Sequence, residues 1–302
     1  MMSSILVPVD FSLPCHNAYR FGLHLAEEFK LNVVLAHYSS GAIDPGQPLV
    51  FAGDGSLHGS NVKRLENFAS SNADGIDYPL LEPPQGVEVT YEAEVVFSVS
   101  ASIIARASKE DISMVVMAPR STRKLLGKWL GSTSTTVSEA CPCPVCLVPE
   151  DAQFSPWKKV VVANNSVTAE AYPLWQIEDI ARKYSSYVHF VHVQWPRQYG
   201  PLKFTPWRLM EKLVDETPAD YPFDVVTVDN EDVTAGLMEY ADKIDSDLIV
   251  IVNSLRNRWR SLIHASLTQD LALRSKRPVL VLHAEDTTVS EEILQTETEN
   301  IN

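Results

Sequence analysis

Two short apolar runs of the sequence match each other: SMVVMA at Ser113–Ala118 and DLIVIV at Asp247–Val252. Both are rich in branched side chains, and each follows a polar helix end. A second pair has the same character, PVCLV at Pro144–Val148 and PVLVL at Pro278–Leu282. The offsets are 247 − 113 = 134 and 278 − 144 = 134. Equal offsets indicate an internal repeat with no net insertion between these strands.

The opening strands of the two copies match as well. They are ILVPVD at Ile5–Asp10 and KVVVAN at Lys159–Asn164, with an offset of 164 − 10 = 154. The first copy is therefore longer than the second by 154 − 134 = 20 residues before Ser113. We expect the Gly- and Pro-bearing segment Ser39–Gly59 to hold this excess.

Each copy alternates buried strands with helical patterns. Fully apolar strands such as Leu248–Val252 predict a sheet covered on both faces, and therefore parallel strands with crossover helices. The predicted class is α/β, with two tandem doubly wound domains, flavodoxin- or Rossmann-like, each with a five-stranded parallel sheet. The predicted strands lie near residues 4–9, 32–38, 87–94, 113–118 and 144–148, and near 158–163, 186–193, 222–228, 247–252 and 278–283. The predicted helices lie near 14–29, 60–72, 98–109 and 132–140, and near 169–184, 205–215, 232–243 and 265–274.

The length of 302 residues fits two domains, which we place at 1–150 and 156–285, with an acidic, disordered tail at 286–302. The net charge of −14 argues against nucleic acid and against anionic membranes as partners. No apolar run reaches the roughly 18 residues of a membrane span, and the opening MMSSILVPVD lacks a basic signal region. We therefore expect a cytoplasmic protein.

Three stretches make the sequence resemble the universal stress protein family. They are VPVDFS at Val7–Ser12, the segment from Ser113 through Ser132, and PCPVCLV at Pro142–Val148. The resemblance covers nearly the whole chain as two tandem copies. It implies a stress-response or signalling module with adenine-nucleotide binding, rather than a metabolic enzyme.

The resemblance also implies a site in the first copy. In ATP-binding members an aspartate after the first strand contacts the nucleotide, and a loop G-x2-G-x9-G-[S/T] wraps the phosphates, because glycine lets backbone approach them. Of the three glycine positions only the third is glycine here, and Pro119 removes a backbone donor. Arg120, Arg123 and Lys124 could compensate by pairing with phosphate. The residues that this resemblance assigns to ATP are Asp10, Ser12, Ala118, Arg120, Ser121, Gly131, Ser132 and Thr133.

The second copy departs further from the ATP-binding pattern. Its loop positions are Val252, Leu255 and Ala265, followed by Ser266, and Asn164 is aligned with Asp10. We expect this copy not to bind ATP in the family's manner.

Each candidate residue has a structural interpretation beside the functional one. Asp10 either contacts a ligand or caps the turn into the first helix. Ser132 and Thr133 either hold phosphate or cap the following helix, and the basic loop is by default solvated.

The cysteines also admit two interpretations. Cys143 and Cys146 form a C-x-x-C, but their odd spacing in a strand favours packing over zinc or redox duty. Cys15 begins a helix, where the dipole could lower its pKa, although packing is again favoured.

Two functional hypotheses remain open. In one, the first copy binds ATP while the second supports it structurally. In the other, neither copy binds ATP and the chain is a protein-interaction module. No catalytic constellation or metal set is evident, so at most slow, incidental ATP hydrolysis is expected. The resemblance further implies that Val145–Val148 and Val279–Leu282 pair the two copies, and it leaves homodimerisation open.

Overall fold

The computed structural model describes residues 3–40, 55–70, 82–119, 121–124, 127–130, 132–164, 173–194, 209–210, 213–214, 218–253 and 267–283. The chain forms two compact units. The first contains residues 1–155 together with 268–281, and the second contains residues 156–267 together with 282–302.

The first unit is built on a parallel sheet whose strands lie in the order β3 (Val89–Val96), β2 (Asn32–Ser40), β1 (Ser4–Pro8), β4 (Ile112–Met117) and β7 (Val145–Leu147). All five residues of β1 are buried, which fits its continuously apolar sequence. Two short strands follow β4 in the chain, β5 (Ser121–Lys124) and β6 (Gly127–Leu130). The helices are α1 (Leu13–Phe29), α2 (Gly55–Ser70), α3 (Val99–Ala107) and α4 (Ser132–Ala140).

The helices of the first unit pack in two pairs, α1 with α2 and α3 with α4. Helix α1 buries Ala18, Phe21 and Leu25 against the sheet, along the apolar stripe that the sequence predicts. It ends at Lys30, whose left-handed conformation (φ 55°) lets its N–H bond back to the last turn. The predicted strands and helices of this copy are all present, so its α/β doubly wound class is confirmed.

The closing strand β12 (Val279–His283) runs antiparallel to β7. Within the first unit, Val279 lies opposite Leu147 and Val281 lies opposite Val145. Residues 279–281 therefore extend the sheet of the first unit beyond β7.

The second unit repeats the arrangement, with strands in the order β10 (Phe223–Asp229), β9 (Tyr187–Gln194), β8 (Lys159–Ala163) and β11 (Leu248–Asn253). The β8–β9, β9–β10 and β8–β11 pairs are all parallel. Its helices include α5 (Leu174–Tyr184) and α6 (Val233–Ile244), and residues 267–274 are also helical. The predicted helix near 205–215 lies mostly outside the described residues, and the predicted tail lies wholly outside them.

The strand registers correct the alignment of the two copies by one residue. Leu6 pairs with Val115, and Val161 pairs with Ile249, which lies 249 − 115 = 134 residues further along, so the offset at the first strand is 161 − 6 = 155 and not 154. Asn165, which lies outside the described residues, is therefore the counterpart of Asp10, and Asn164 is the counterpart of Val9. The reason is that consecutive apolar residues in a doubly covered strand look alike when shifted by one position.

The same registers locate the extra residues of the first copy. Val33 pairs with Val89 and Val188 pairs with Phe223, so the offset falls to 223 − 89 = 134 at the third strand. The excess of 155 − 134 = 21 residues lies between the second and third strands of the first copy. The predicted location, Ser39–Gly59, begins at the end of β2 and continues largely outside the described residues.

Asn17 holds the segment that follows β7 against helix α1. Its side chain is 4% exposed, and its Nδ2 donates to the carbonyls of Pro149 at 2.9 Å and Ala152 at 3.0 Å. Arg20 donates in turn to the Asn17 carbonyl oxygen. This contact fixes the backbone on either side of Glu150.

We expect Asn17→Ala to lower the free energy of unfolding by about 1.5 kcal/mol, because two buried carbonyls lose their donor. Asn17→Asp should cost more, since a carboxylate would face the same two carbonyl oxygens at neutral pH. Urea unfolding of the wild type and both variants measures the difference. Equal stability of Asn17→Asp and the wild type would show that the two hydrogen bonds do not contribute.

Candidate functional site

The turn after β1 is organised by the Asp10 carboxylate. Its Oδ1 accepts the backbone N–H of Ser12 at 3.1 Å and the thiol of Cys15 at 3.2 Å. Ser12 is the N-cap residue of α1, but its own side chain makes no capping hydrogen bond. The structural interpretation of Asp10, an Asx turn into the helix, is therefore confirmed.

Phe11 adopts a left-handed conformation (φ 64°) that a bulky residue rarely takes. Its ring lies 4.4 Å from the His37 ring and 5.7 Å from the Phe68 ring, centroid to centroid. The Arg64 guanidinium carbon lies 3.9 Å from the centre of the Phe11 ring, a cation–π contact. The Nδ1 of His37 lies 2.8 Å from the Val9 carbonyl oxygen. These contacts draw the Phe11 side chain into an aromatic cluster, while its neighbours Asp10 and Ser12 line a cavity.

The cavity has a volume of about 570 Å³ and lies at the carboxyl ends of β1 and β4. These two strands are adjacent in the sheet, and the chain leaves them toward opposite edges, so the cavity occupies the switch point of the fold. Ligands of doubly wound sheets bind at this place. The residues that line it include Asp10, Ser12, Cys15, Tyr38, Ser39, Ser40, Val99, Ile103, Met117, Ala118, Pro119, Thr133, Ser134 and Glu150.

Four of the residues that the resemblance assigns to the site lie together in this cavity. They are Asp10 and Ser12 after β1, Ala118 after β4, and Thr133 in the first turn of α4. Ser121 and Ser132 belong by their backbones to β5 and α4, and their side chains are not described. Arg120 and Gly131 lie outside the described residues.

The segment between β4 and α4 contains a hairpin that the sequence analysis did not predict. Strands β5 and β6 pair antiparallel, with Ser121 opposite Leu130 and Lys124 opposite Gly127. The sequences STRK and GKWL are short and mostly polar, so no apolar run marked them as strands.

Several other lining residues were also missed. Tyr38, Ser39 and Ser40 end β2, and α3 contributes Val99 and Ile103. The β2 residues could have been predicted from the sequence, because the carboxyl ends of all parallel strands meet at one edge of the sheet. Burial raises the pKa of the Tyr38 phenol, and the Glu92 carboxylate adds to the rise, so Tyr38 is a neutral hydrogen-bonding group.

The charges at the cavity are unbalanced toward the negative side. Asp10 and Glu150 contribute carboxylates, and among the described side chains that line the cavity none is cationic. Glu150 reaches this position because Asn17 holds the carbonyls of its neighbours Pro149 and Ala152. The described walls therefore suit hydrogen-bond donors and uncharged rings better than phosphate groups.

Cys15 does not have the lowered pKa that its place at a helix start suggested. Burial raises the pKa of the Cys15 thiol to about 12, and the negative charge of Asp10 adds to the rise. This residue is 9% exposed. Cys15 is therefore a packing residue and a hydrogen-bond donor to Asp10 at neutral pH.

Comparison with known families agrees with this fold. The profile of the universal stress protein family matches residues 1–149 and, a second time, residues 156–283. The chain therefore belongs to the universal stress protein family and carries two tandem copies of its domain. Within the described residues, no helix combines the length and the apolar character needed to cross a bilayer.

Solved structures share the fold over nearly the whole chain. A universal stress protein from Archaeoglobus fulgidus is 16% identical with a TM-score of 0.60, covering 93% of this chain and 98% of that one. A functionally unknown protein from Pseudomonas aeruginosa is 16% identical with a TM-score of 0.57, covering 98% of each chain. The search of curated protein sequences found no significant match.

Proposed function

We propose that the first copy binds an adenine nucleotide, ATP in the first instance, in the cavity at the switch point, and that the chain works as a stress-response signalling module. The observation that carries the proposal is the meeting of Asp10, Ser12 and Thr133 at one cavity. A volume of about 570 Å³ lies within the usual range for small-molecule sites.

The walls of the cavity support a division of roles within the nucleotide. Met117, Val99 and Ile103 offer apolar surface for a base, while Asp10 and Tyr38 offer hydrogen-bonding groups for amino and hydroxyl donors. The phosphates would need positive charge from the segment after Ala118, which contains Arg120, Arg123 and Lys124.

Calorimetric titration with ATP tests this proposal, with Asp10→Asn as the central variant. Asparagine keeps a side-chain oxygen for the Ser12 N–H and so preserves the turn, but it loses the carboxylate charge. We expect at least tenfold weaker ATP binding, because a loss of this size corresponds to the free energy that one charge-assisted hydrogen bond contributes. Glu110→Gln removes the same charge from the opposite end of β4 and should leave the affinity unchanged.

The outcome against nucleotide binding is equally clear. If the wild type releases or absorbs no binding heat at millimolar ATP, the proposal of nucleotide binding is refuted. Equal weakening by Asp10→Asn and Glu110→Gln would place binding outside the cavity. Titration with adenosine and AMP separates base recognition from phosphate recognition, and binding that tightens from adenosine to ATP supports the role of the basic segment.

One observation favours the alternative, a protein-interaction module without ATP. The backbone of Ser121–Lys124 pairs with Gly127–Leu130 in a hairpin, and ladder hydrogen bonds occupy groups that a phosphate loop would use. The losses of glycine at Ala118 and Ser121 agree with this alternative. A folded wild-type protein that binds no nucleotide in the titration above would favour it.

The proposal is one of binding rather than turnover. We infer at most slow, incidental hydrolysis, and the second copy is proposed not to bind ATP. An assay of ADP release at saturating ATP tests the first point, and rapid, Asp10-dependent release would overturn it. A binding stoichiometry of two nucleotides per chain would overturn the second.

The closing strands are proposed to join the two copies within one chain. The antiparallel register of Val279 with Leu147 and of Val281 with Val145 supports this pairing. Co-expression of residues 1–155 and 156–302 as separate chains tests it, since paired copies should purify together. Sedimentation of the intact chain then decides between a monomer and a homodimer.

A further inference from the structure

Two of the four cysteines meet at the end of helix α4. The helix ends at Ala140, and the N–H of Cys141 still donates to the Val137 carbonyl at 2.9 Å. Pro142 then turns the chain, so that the Sγ atoms of Cys141 and Cys143 lie 3.5 Å apart in hydrogen-bond contact. Both are free thiols. The pairing is within C-P-C, and not within the C-x-x-C of Cys143 and Cys146.

We propose that Cys141 and Cys143 form a reversible redox site, which a small disulfide such as glutathione disulfide oxidises to an intramolecular disulfide. The two sulfurs are already in contact, so bond formation requires only a further approach of less than the width of one atom. No backbone segment has to cross another element, because one residue separates the two cysteines.

The two cysteines differ in exposure, and this difference assigns their roles in the reaction. Cys143 is half-buried and accessible to a solute, whereas Cys141 is 1% exposed. The hydrogen bond between the two thiols lowers the pKa of Cys141 and, together with burial, raises the pKa of Cys143. Exposure, and not acidity, makes Cys143 the entry point, and the buried Cys141 is the resolving thiol.

The reaction balances in two steps of thiol–disulfide exchange. The Cys143 sulfur attacks one sulfur of glutathione disulfide, a Cys143–glutathione bond forms, and one glutathione leaves and takes up the Cys143 proton. The Cys141 sulfur then attacks the Cys143 sulfur, the protein disulfide forms, and the second glutathione leaves with the Cys141 proton. The protein loses two electrons and two protons, and one glutathione disulfide becomes two glutathione thiols.

The other two cysteines provide internal controls. Burial raises the pKa of Cys146, inside β7, to about 12. Cys15 is raised to a similar pKa and donates to Asp10. Both side chains are buried, so neither is expected to react with a small disulfide while the protein is folded.

The test is to equilibrate the folded full-length chain in glutathione buffers of increasing oxidation and then to denature and alkylate it. Intact mass should show the loss of two of the four alkylatable thiols. Peptide mapping should place the link within Cys141–Cys143. Cys141→Ser should stop at a single glutathione adduct on Cys143, Cys143→Ser should remain fully reduced, and Cys146→Ser should behave like the wild type.

Two results would overturn the proposal. One is the persistence of all four thiols in the wild type at the most oxidising buffer. The other is loss of thiols mapped to Cys15, to Cys146 or to links between chains. The wild-type mapping needs no variant, so poor folding of a serine variant leaves the decision intact.

Discussion

Trp157→Ala is expected to lower the free energy of unfolding by about 4 kcal/mol, since removal of a buried aromatic ring usually costs 3–5 kcal/mol. Trp157 is 1% exposed, and its ring meets the Tyr184 ring edge-on at 5.7 Å. Its carbonyl accepts the Ser186 hydroxyl at the start of β9. The residue therefore organises the place where β8 begins, and alanine would leave a cavity there.

Urea unfolding of the full chain measures this loss, and Trp175→Ala is the matched control. Trp175 lies on α5 and is 52% exposed, so its replacement should change the stability by less than about 0.5 kcal/mol. A similar loss in both variants would contradict the assignment of Trp157 to the core.

Arg106→Ala is expected to lower the free energy of unfolding by about 2.5 kcal/mol at pH 7. The Arg106 Nε donates to Glu92 at 2.9 Å, and its Nη1 donates to Asp111 at 2.9 Å, with the Arg106 side chain 11% exposed. Alanine would leave two carboxylates without their shared cation. The carboxylates are about one-third exposed, so the effect stays below that of a fully buried pair.

The same network predicts a pH dependence with a definite sign. The hydrogen bond from Arg106 lowers the pKa of Asp111 below its unfolded value. Such a group stabilises the folded state above the unfolded pKa of about 4, and this contribution is lost as the pH falls through the folded pKa. The difference between wild type and Arg106→Ala should therefore narrow below about pH 4.

Unfolding curves from pH 2 to pH 7 measure this dependence, and Arg106→Lys separates charge from geometry. Lysine retains one positive charge but cannot donate to both carboxylates through a planar fork, so we expect about half of the loss. A difference that stays constant over this pH range would contradict the role of Asp111.

The repeat could be predicted from the sequence, because strands buried on both faces of a parallel sheet are continuous apolar runs. The offset of 134 between Ser113 and Asp247 recurs at the third strand, between Val89 and Phe223. The opening offset was wrong by one residue, since KVVVAN offers no polar landmark inside the strand. The hairpin of β5 and β6 contains no such run, because its strands are short and mostly polar.

The site was readable only in part. Asp10 and Thr133 follow from the ends of β1 and the start of α4, since the class of fold places these ends together. Glu150 could not be predicted there, because a hydrogen bond from Asn17, 132 residues away from Pro149, sets the path of its backbone. The position of the Phe11 ring likewise depends on contacts with His37, Arg64 and Phe68, which are remote in sequence.

Local patterns of burial thus sufficed for the duplicated α/β architecture, since each strand and helix records its environment in its own residues. Contacts between remote side chains needed the folded chain, because distance along the sequence carries no measure of distance in space. The meeting of Cys141 and Cys143 illustrates the difference: their spacing was visible, but the turn at Pro142 that brings the sulfurs to 3.5 Å was not.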